Sequence, residues 1–182
     1  MVMDRRLFIG ALLATPWLAG AQTEPLATRL RAGACVVLLR HAQTVPGIGD
    51  PPDFRLDQCS TQRNLSEEGR LQAGRIGQWF TSRGLLPRTV QSSAWCRCKD
   101  TADLAFGRHQ VWPALNSFFG SGGRDPQTAQ LRAALGRIPA GHFEVWVTHQ
   151  VNMTALTGEG MTMGEGLVVD ARGKMVARST FG

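Results

Sequence analysis

Lysine is nearly missing from this chain: of its 20 basic residues only Lys99 and Lys174 are lysines. The arginines stand singly, with no stripe and no interleaved aromatics, which argues against a nucleic-acid-binding face. No C-x2-C pair occurs among the four cysteines, so the common zinc frameworks are excluded and no metal site is expected. No segment repeats at a fixed period and no tract is of low complexity, which excludes solenoids and arrays. Nor is any apolar run long enough to span a bilayer, which needs about 20 residues. The longest, Leu7 to Leu18, is broken by Thr15-Pro16.

What is present is one domain's worth of chain behind a leader. Arg5-Arg6 heads the Leu7–Leu18 run, and Ala19-Gly20-Ala21 offers a small-x-small cleavage pattern. Residues 1–21 are therefore predicted to be a signal peptide of Sec or twin-arginine type, and 22–182 the mature domain. Ala21 stands where a lipoprotein would carry cysteine, so the product is expected to be periplasmic or secreted, with no stable membrane insertion after cleavage. The leader holds +1 of the formal +6, and the rest suits an anionic substrate plus solvated surface.

An oxidising compartment permits a disulfide. Cys35 lies in an apolar strand and reads as a buried free thiol. Cys96 and Cys98, two apart on a predicted helix, point different ways and do not bridge each other. That leaves Cys59 with Cys96 or Cys98, and the pairing favoured is Cys59–Cys98.

Strand and helix patterns alternate. The run "ACVVLL" (34–39) reads as a strand covered on both faces, followed by a Pro/Gly/Asp-rich loop from Ala42 to about Arg63. A helix capped by Asn64 or Ser66 runs to Gly84. Further elements are a strand at Thr89–Ser92, a helix at Trp95–Phe106 and a possible strand at Val111–Leu115. Then come a helix at Asp125–Ile138, the strand "HFEVWVT", a short helix at Val151–Leu156 and a hairpin around Arg172-Gly173. This order predicts a three-layer α/β/α sandwich with a mainly parallel sheet.

In such sheets ligands bind at the carboxyl ends of strands. Arg40-His41 follows the first strand, Ser92-Ser93 ends another with Arg97 one turn beyond, and His149 ends the "FEVWV" strand. Two imidazoles and two guanidiniums should thus converge on one sheet edge. Guanidinium forks make paired hydrogen bonds to phosphate oxygens and lower the pKa of a neighbouring imidazole, keeping it nucleophilic.

The motifs "LLRHAQT", "RNLSEEGRLQA", "SSAWCRCKDTA" and "VTHQVNMTALTG", in this order, resemble the histidine phosphatase superfamily, the phosphoglycerate-mutase-like fold, in its short exported bacterial branch. The resemblance spans about 34–157. It implies that His41 becomes the phosphohistidine, that Arg40 and Arg97 bind the phosphoryl group and that His149 completes the pocket. Thr44 would reach the substrate or orient the loop, and Arg63 would add a third cation at the rim. It implies a cofactor-free phosphomonoester hydrolase acting on a phosphorylated small molecule or envelope saccharide. His109 and His142 read as loop residues, Trp95, Trp112 and Trp146 as core, and Thr101 as locally bonded.

Three departures stand out: Ala42 replaces the glycine of RHG, Gln150 follows His149 where one branch has aspartate, and "WPALNSFFGSGG" lacks the usual acidic proton donor. Asp50, Asp53, Asp57 and Asp125 are the remaining carboxyl candidates, unless the leaving group needs no acid, as in the phosphohistidine phosphatases. The alternative is an anion-binding module of the same fold that has lost catalysis. A mutase ranks last.

Overall fold

The computed structural model describes residues 23–119 and 122–181, so the predicted leader lies outside the described residues. The strands are β1 (Cys35–Arg40), β2 (Val90–Ser92), β3 (Gln110–Val111), β4 (Phe143–Thr148), β5 (Gly166–Asp170) and β6 (Met175–Ser179). The helices are α1 (Thr23–Ala32), α2 (Glu67–Thr81), α3 (Cys96–Phe106), α4 (Arg124–Leu135) and α5 (Gln150–Thr157). The sheet order is β3-β2-β4-β1-β5-β6. The first four of these strands run parallel, and the β5–β6 hairpin adds antiparallel at the end.

Strand alternation sorts the core into two layers. Cys35, Val37 and Leu39 of β1 pack with Val145 and Val147 against Leu30 of α1, Phe80 of α2 and Ala102 of α3. Val36 and Leu38, with Trp146, meet Leu131 and Leu135 of α4 and Met153 of α5. The predicted three-layer α/β/α sandwich is therefore the observed fold. No described helix is long and apolar enough to cross a membrane.

Ser66, rather than Asn64, caps α2: its hydroxyl accepts from the Gly69 amide at 3.0 Å, and Glu67 and Glu68 fill the first turn. The expected strand at Val111–Leu115 is only the two residues of β3. Pro113 has no amide for a ladder and instead opens a 3-10 turn through Leu115. Helix α1 has no counterpart in the sequence reading.

The cysteine pairing differs from the expected one. The disulfide joins Cys59 to Cys96, with Cα atoms 5.7 Å apart, and Cys98 is a buried free thiol, as is Cys35. At about 100° per helical residue, positions two apart diverge by roughly 200°. Cys96 opens α3 towards the 59–61 turn, while the Cys98 sulfur turns inward, 3.7 Å from the Thr148 carbonyl oxygen.

Candidate active site

Strands β1, β4 and β2 lie side by side, so the residues at their carboxyl ends become neighbours. The His41 amide extends the ladder to Thr148 O at 3.1 Å, and the Ser93 amide bonds Val147 O at 3.0 Å. The rings of His41 and His149 meet edge to face with centroids 5.5 Å apart, and both residues are buried.

Hydrogen-bond partners set both tautomers. Nδ1 of His41 lies 2.9 Å from the Ala42 carbonyl oxygen, which can only accept. Nδ1 therefore carries the hydrogen, and Nε2 keeps its lone pair. In His149 the assignment is reversed. Nη2 of Arg97 approaches Nδ1 at 3.4 Å and can only donate, so Nε2 carries the hydrogen and donates to Ser93 Oγ at 2.8 Å. Ser93 in turn donates to Asn116 Oδ1 at 3.3 Å.

Both imidazoles are held neutral. Burial, then the charges of Arg97, Arg40 and Arg63, push His41 down to about 3 against a bonding contribution from the Ala42 carbonyl. Burial, then His41, Arg97 and Arg40, hold His149 well below the usual imidazole range.

The three arginines share one pattern. Nη1 of Arg40 donates to Gln150 Oε1 at 3.0 Å and to Met161 O at 2.7 Å. Nη1 of Arg97 donates to Asp50 Oδ1 at 2.8 Å. Nη1 of Arg63 donates to the Gly47 carbonyl. In all three, Nε is buried and without a partner among the described residues. Each guanidinium is thus tethered through Nη1 with its Nε–H unspent; Arg40 and Arg63 keep the Nε–Nη2 edge, the side-on fork suited to two oxygens of one anion, whereas Arg97 lends Nη2 to His149. Burial, then the Arg63 and Arg97 charges, lower the pKa of Arg40; burial, then Arg97, lower that of Arg63 against the Asp50 carboxylate.

The loop behind His41 is pinned by its surroundings. Ala42 N–H donates to Thr101 Oγ1 at 3.0 Å, and that hydroxyl donates to the Arg97 carbonyl at 2.7 Å. Gly69 lies so close to the Gln43 carbonyl oxygen that a Cβ there would overlap it. Among the described residues the positive-φ non-glycines are Ala34 and Phe181, so Ala42 replaces glycine without strain.

The structure brings together His41, His149, Arg40 and Arg97, with Arg63 close enough for its charge to act on His41. Thr44 is buried, but its hydroxyl donates to Met163 Sδ at 3.6 Å, which serves the loop-orienting reading. His109 bonds Asp103 at 2.6 Å, and His142 is exposed. Trp95, read as core, also lines the site: its ring meets His149 edge to face at 5.3 Å, and Nε1 donates to Asp50 Oδ2 at 3.0 Å. Gln150 and Asn116 escaped the sequence reading as anchors, since no local spacing marks them. No carboxyl of the candidate set is free beside the imidazoles. Asp50 is bonded to Arg97, Asp125 is exposed and paired with Arg124, and Asp53 and Asp57 are exposed. Among the described residues no three His, Cys, Asp or Glu side chains group as a metal site.

A family profile of the histidine phosphatase superfamily, branch 1, matches residues 36–119. No curated protein matches the chain. Among solved structures, the putative phosphohistidine phosphatase SixA of Agrobacterium tumefaciens is similar over 80% of this chain and 97% of its own, at 22% identity and TM-score 0.57. A phosphoglycerate mutase of Thermus thermophilus matches over 79% and 97% at 19% identity, TM-score 0.58. The protein histidine phosphatase SixA complexed with tungstate matches over 79% and 95% at 16% identity, TM-score 0.54. These likenesses establish a shared fold.

Proposed function

From the histidine phosphatase superfamily profile that matches residues 36–119 and from the site's geometry, we propose that the chain is an exported phosphomonoester hydrolase that works through a phosphohistidine on His41. One observation carries this reading: the unprotonated Nε2 of His41 lies in the field of three guanidiniums, each with a buried Nε that has no partner among the described residues. With both imidazoles neutral, Arg40, Arg63 and Arg97 less the Asp50 carboxylate leave a formal +2, which matches a phosphate monoester dianion.

In the first step Nε2 attacks phosphorus in line, the N–P bond forms, and the ester O–P bond breaks with its electron pair leaving on oxygen. The arginine edges hold the equatorial oxygens as charge builds on them. His149 stays neutral, holding Arg97 Nη2 through Nδ1 and Ser93 Oγ through Nε2, and so orients the Arg97 fork beside the nucleophile. Water then attacks phosphorus, the N–P bond breaks, His41 is regenerated, and the water proton passes to solvent.

Among the described residues no carboxyl of the candidate set lies free beside the imidazoles to protonate the leaving oxygen, so leaving groups stable as anions are favoured. Aryl phosphates are expected to turn over much faster than alkyl phosphates. The leader-like segment at residues 1–21 supports export and an envelope saccharide phosphate as substrate. The deciding experiment is chemical trapping. Acid-labile, base-stable phosphate should appear on His41, and undiminished turnover by His41→Ala would exclude the mechanism.

A second reading, a non-catalytic anion-binding module, is favoured by the commitment of Asp50 to Arg97. Tight binding of inorganic phosphate with no hydrolysis of an activated aryl phosphate would select it.

A further inference from the structure

We propose that Asp50 is a positioning residue of this site: it fixes which edge of Arg97 faces the phosphoryl group, and its negative charge keeps phosphate releasable. This rests on reading the site as a phosphate cradle.

The Asp50 and Arg97 side chains are only 9% and 5% exposed. The carboxylate accepts three hydrogen bonds: Oδ1 takes Arg97 Nη1 at 2.8 Å and the Arg63 amide at 3.0 Å, and Oδ2 takes Trp95 Nε1 at 3.0 Å. All three partners are donors, so the carboxylate is satisfied only when ionised. Burial pushes its pKa up, but the bonds from Arg97, Arg63 and Trp95 and the Arg97 charge outweigh that and hold it below the usual carboxylate range. A group held this way is a poor proton donor, which removes one of the loop candidates for a general acid.

Its place in the chain explains how it holds Arg97. Asp50 follows Gly47 and Gly49, both at positive φ, in a loop that the Cys59–Cys96 disulfide ties to the residue just before Arg97. Loop and helix are thus fastened together on both sides of the ion pair. By holding Nη1 while His149 takes Nη2, Asp50 prevents the fork from rotating and leaves the buried Nε–H, without a partner among the described residues, for the anion. Truncating Asp50 would leave Nη1 only the Arg63 carbonyl oxygen at 3.5 Å and free the fork to turn. Removing the charge alone would raise the cradle from a formal +2 to +3 with the tether kept.

The two roles separate in a pair of variants. Asp50→Asn keeps Oδ1 for Arg97 and the Arg63 amide, but its amide group would oppose Trp95 Nε1–H. The comparison is therefore made in a Trp95→Phe background, with that single variant as reference. Binding of inorganic phosphate is measured by calorimetry, and aryl phosphate turnover as a function of pH. Asp50→Asn is expected to bind phosphate roughly tenfold more tightly, as loss of one nearby counter-charge implies, with lower kcat as release slows. Asp50→Ala is expected to bind phosphate roughly tenfold more weakly, with raised KM.

Weaker phosphate binding by Asp50→Asn overturns the proposal whether or not the alanine variant folds. So does loss of the alkaline limb of the pH–rate profile in Asp50→Asn, which would make Asp50 the acid. If the binding shifts appear while the parent turns nothing over, the hydrolase reading fails and the role of Asp50 stands. A parent protein that binds no phosphate ends both.

Discussion

The imidazoles of His41 and His149 meet edge to face, 5.5 Å between centroids, and neither side chain carries a proton charge. Two neutral histidines in contact, in the field of nearby arginines, form an arrangement that acid must oppose.

The sign follows from linkage. Folded His41 titrates at about 3, and His149 is shifted in the same direction, whereas both bind protons near 6.5 once unfolded. Between those values the unfolded chain holds more protons, so stability is complete above about pH 6.5 and falls as pH drops towards 3. Urea unfolding at pH 7.5 and pH 5 should show a decline of up to about 1.4 kcal/mol per pH unit for each ring. A double His41→Asn, His149→Asn variant should flatten it. Equal stability at the two pH values in the parent would contradict the neutral pair.

Thr101 links the two halves of the cradle, accepting from Ala42 N–H and donating to the Arg97 carbonyl. Thr101→Val keeps the volume and strands a buried amide, at a cost of about 1–3 kcal/mol. Turnover should fall by more than tenfold as the His41 loop loosens, and Thr101→Ser should restore most of it. Thermal melts and steady-state kinetics on both variants provide the check.

Three glycines of α2 make a graded test. A Cβ at Gly69 would overlap the Gln43 carbonyl oxygen, and one at Gly77 the Ala105 carbonyl oxygen, whereas Gly74 has nothing within 4 Å. Gly69→Ala should cost about 1–3 kcal/mol and reduce kcat, because it pushes on the loop two residues past His41. Gly77→Ala should cost a similar amount and leave kcat nearly unchanged. Gly74→Ala should stabilise the helix by about 0.5–1 kcal/mol. Chemical denaturation paired with rate measurements separates the three.

The Cys59–Cys96 bridge closes a separation of 37 residues. Its removal in Cys59→Ser, Cys96→Ser is expected to cost about 4 kcal/mol by loop-closure entropy. Cys35 and Cys98 are buried and burial raises both thiol pKa values, that of Cys98 to about 12. A thiol reagent should therefore find almost no reactive sulfur in the folded protein and two per chain in denaturant. Rapid labelling of the folded protein would show that the disulfide is not formed as described.

Much of this was legible along the chain. "ACVVLL" reads as a doubly covered strand because every side chain in it is apolar, and β1 is buried on both faces. Once strand direction is known, His41, His149 and Arg97 fall at carboxyl ends without further information. Ser66 and its two glutamates mark the start of α2 by local bonding alone. Such features depend on neighbours a few residues away, so the amino-acid order by itself determines them.

Other features exist only after folding. Cys96 rather than Cys98 meets Cys59 because helix phase aims one sulfur at the loop and the other at the core. Asp50 lies 47 residues from Arg97, and Gln150 lies 110 from Arg40. Hydrogen bonds are short and directional, so which carboxylate or amide holds which guanidinium depends on how the loops settle over the sheet. The tertiary structure decided those partners, and with them which nitrogens of each arginine are tethered.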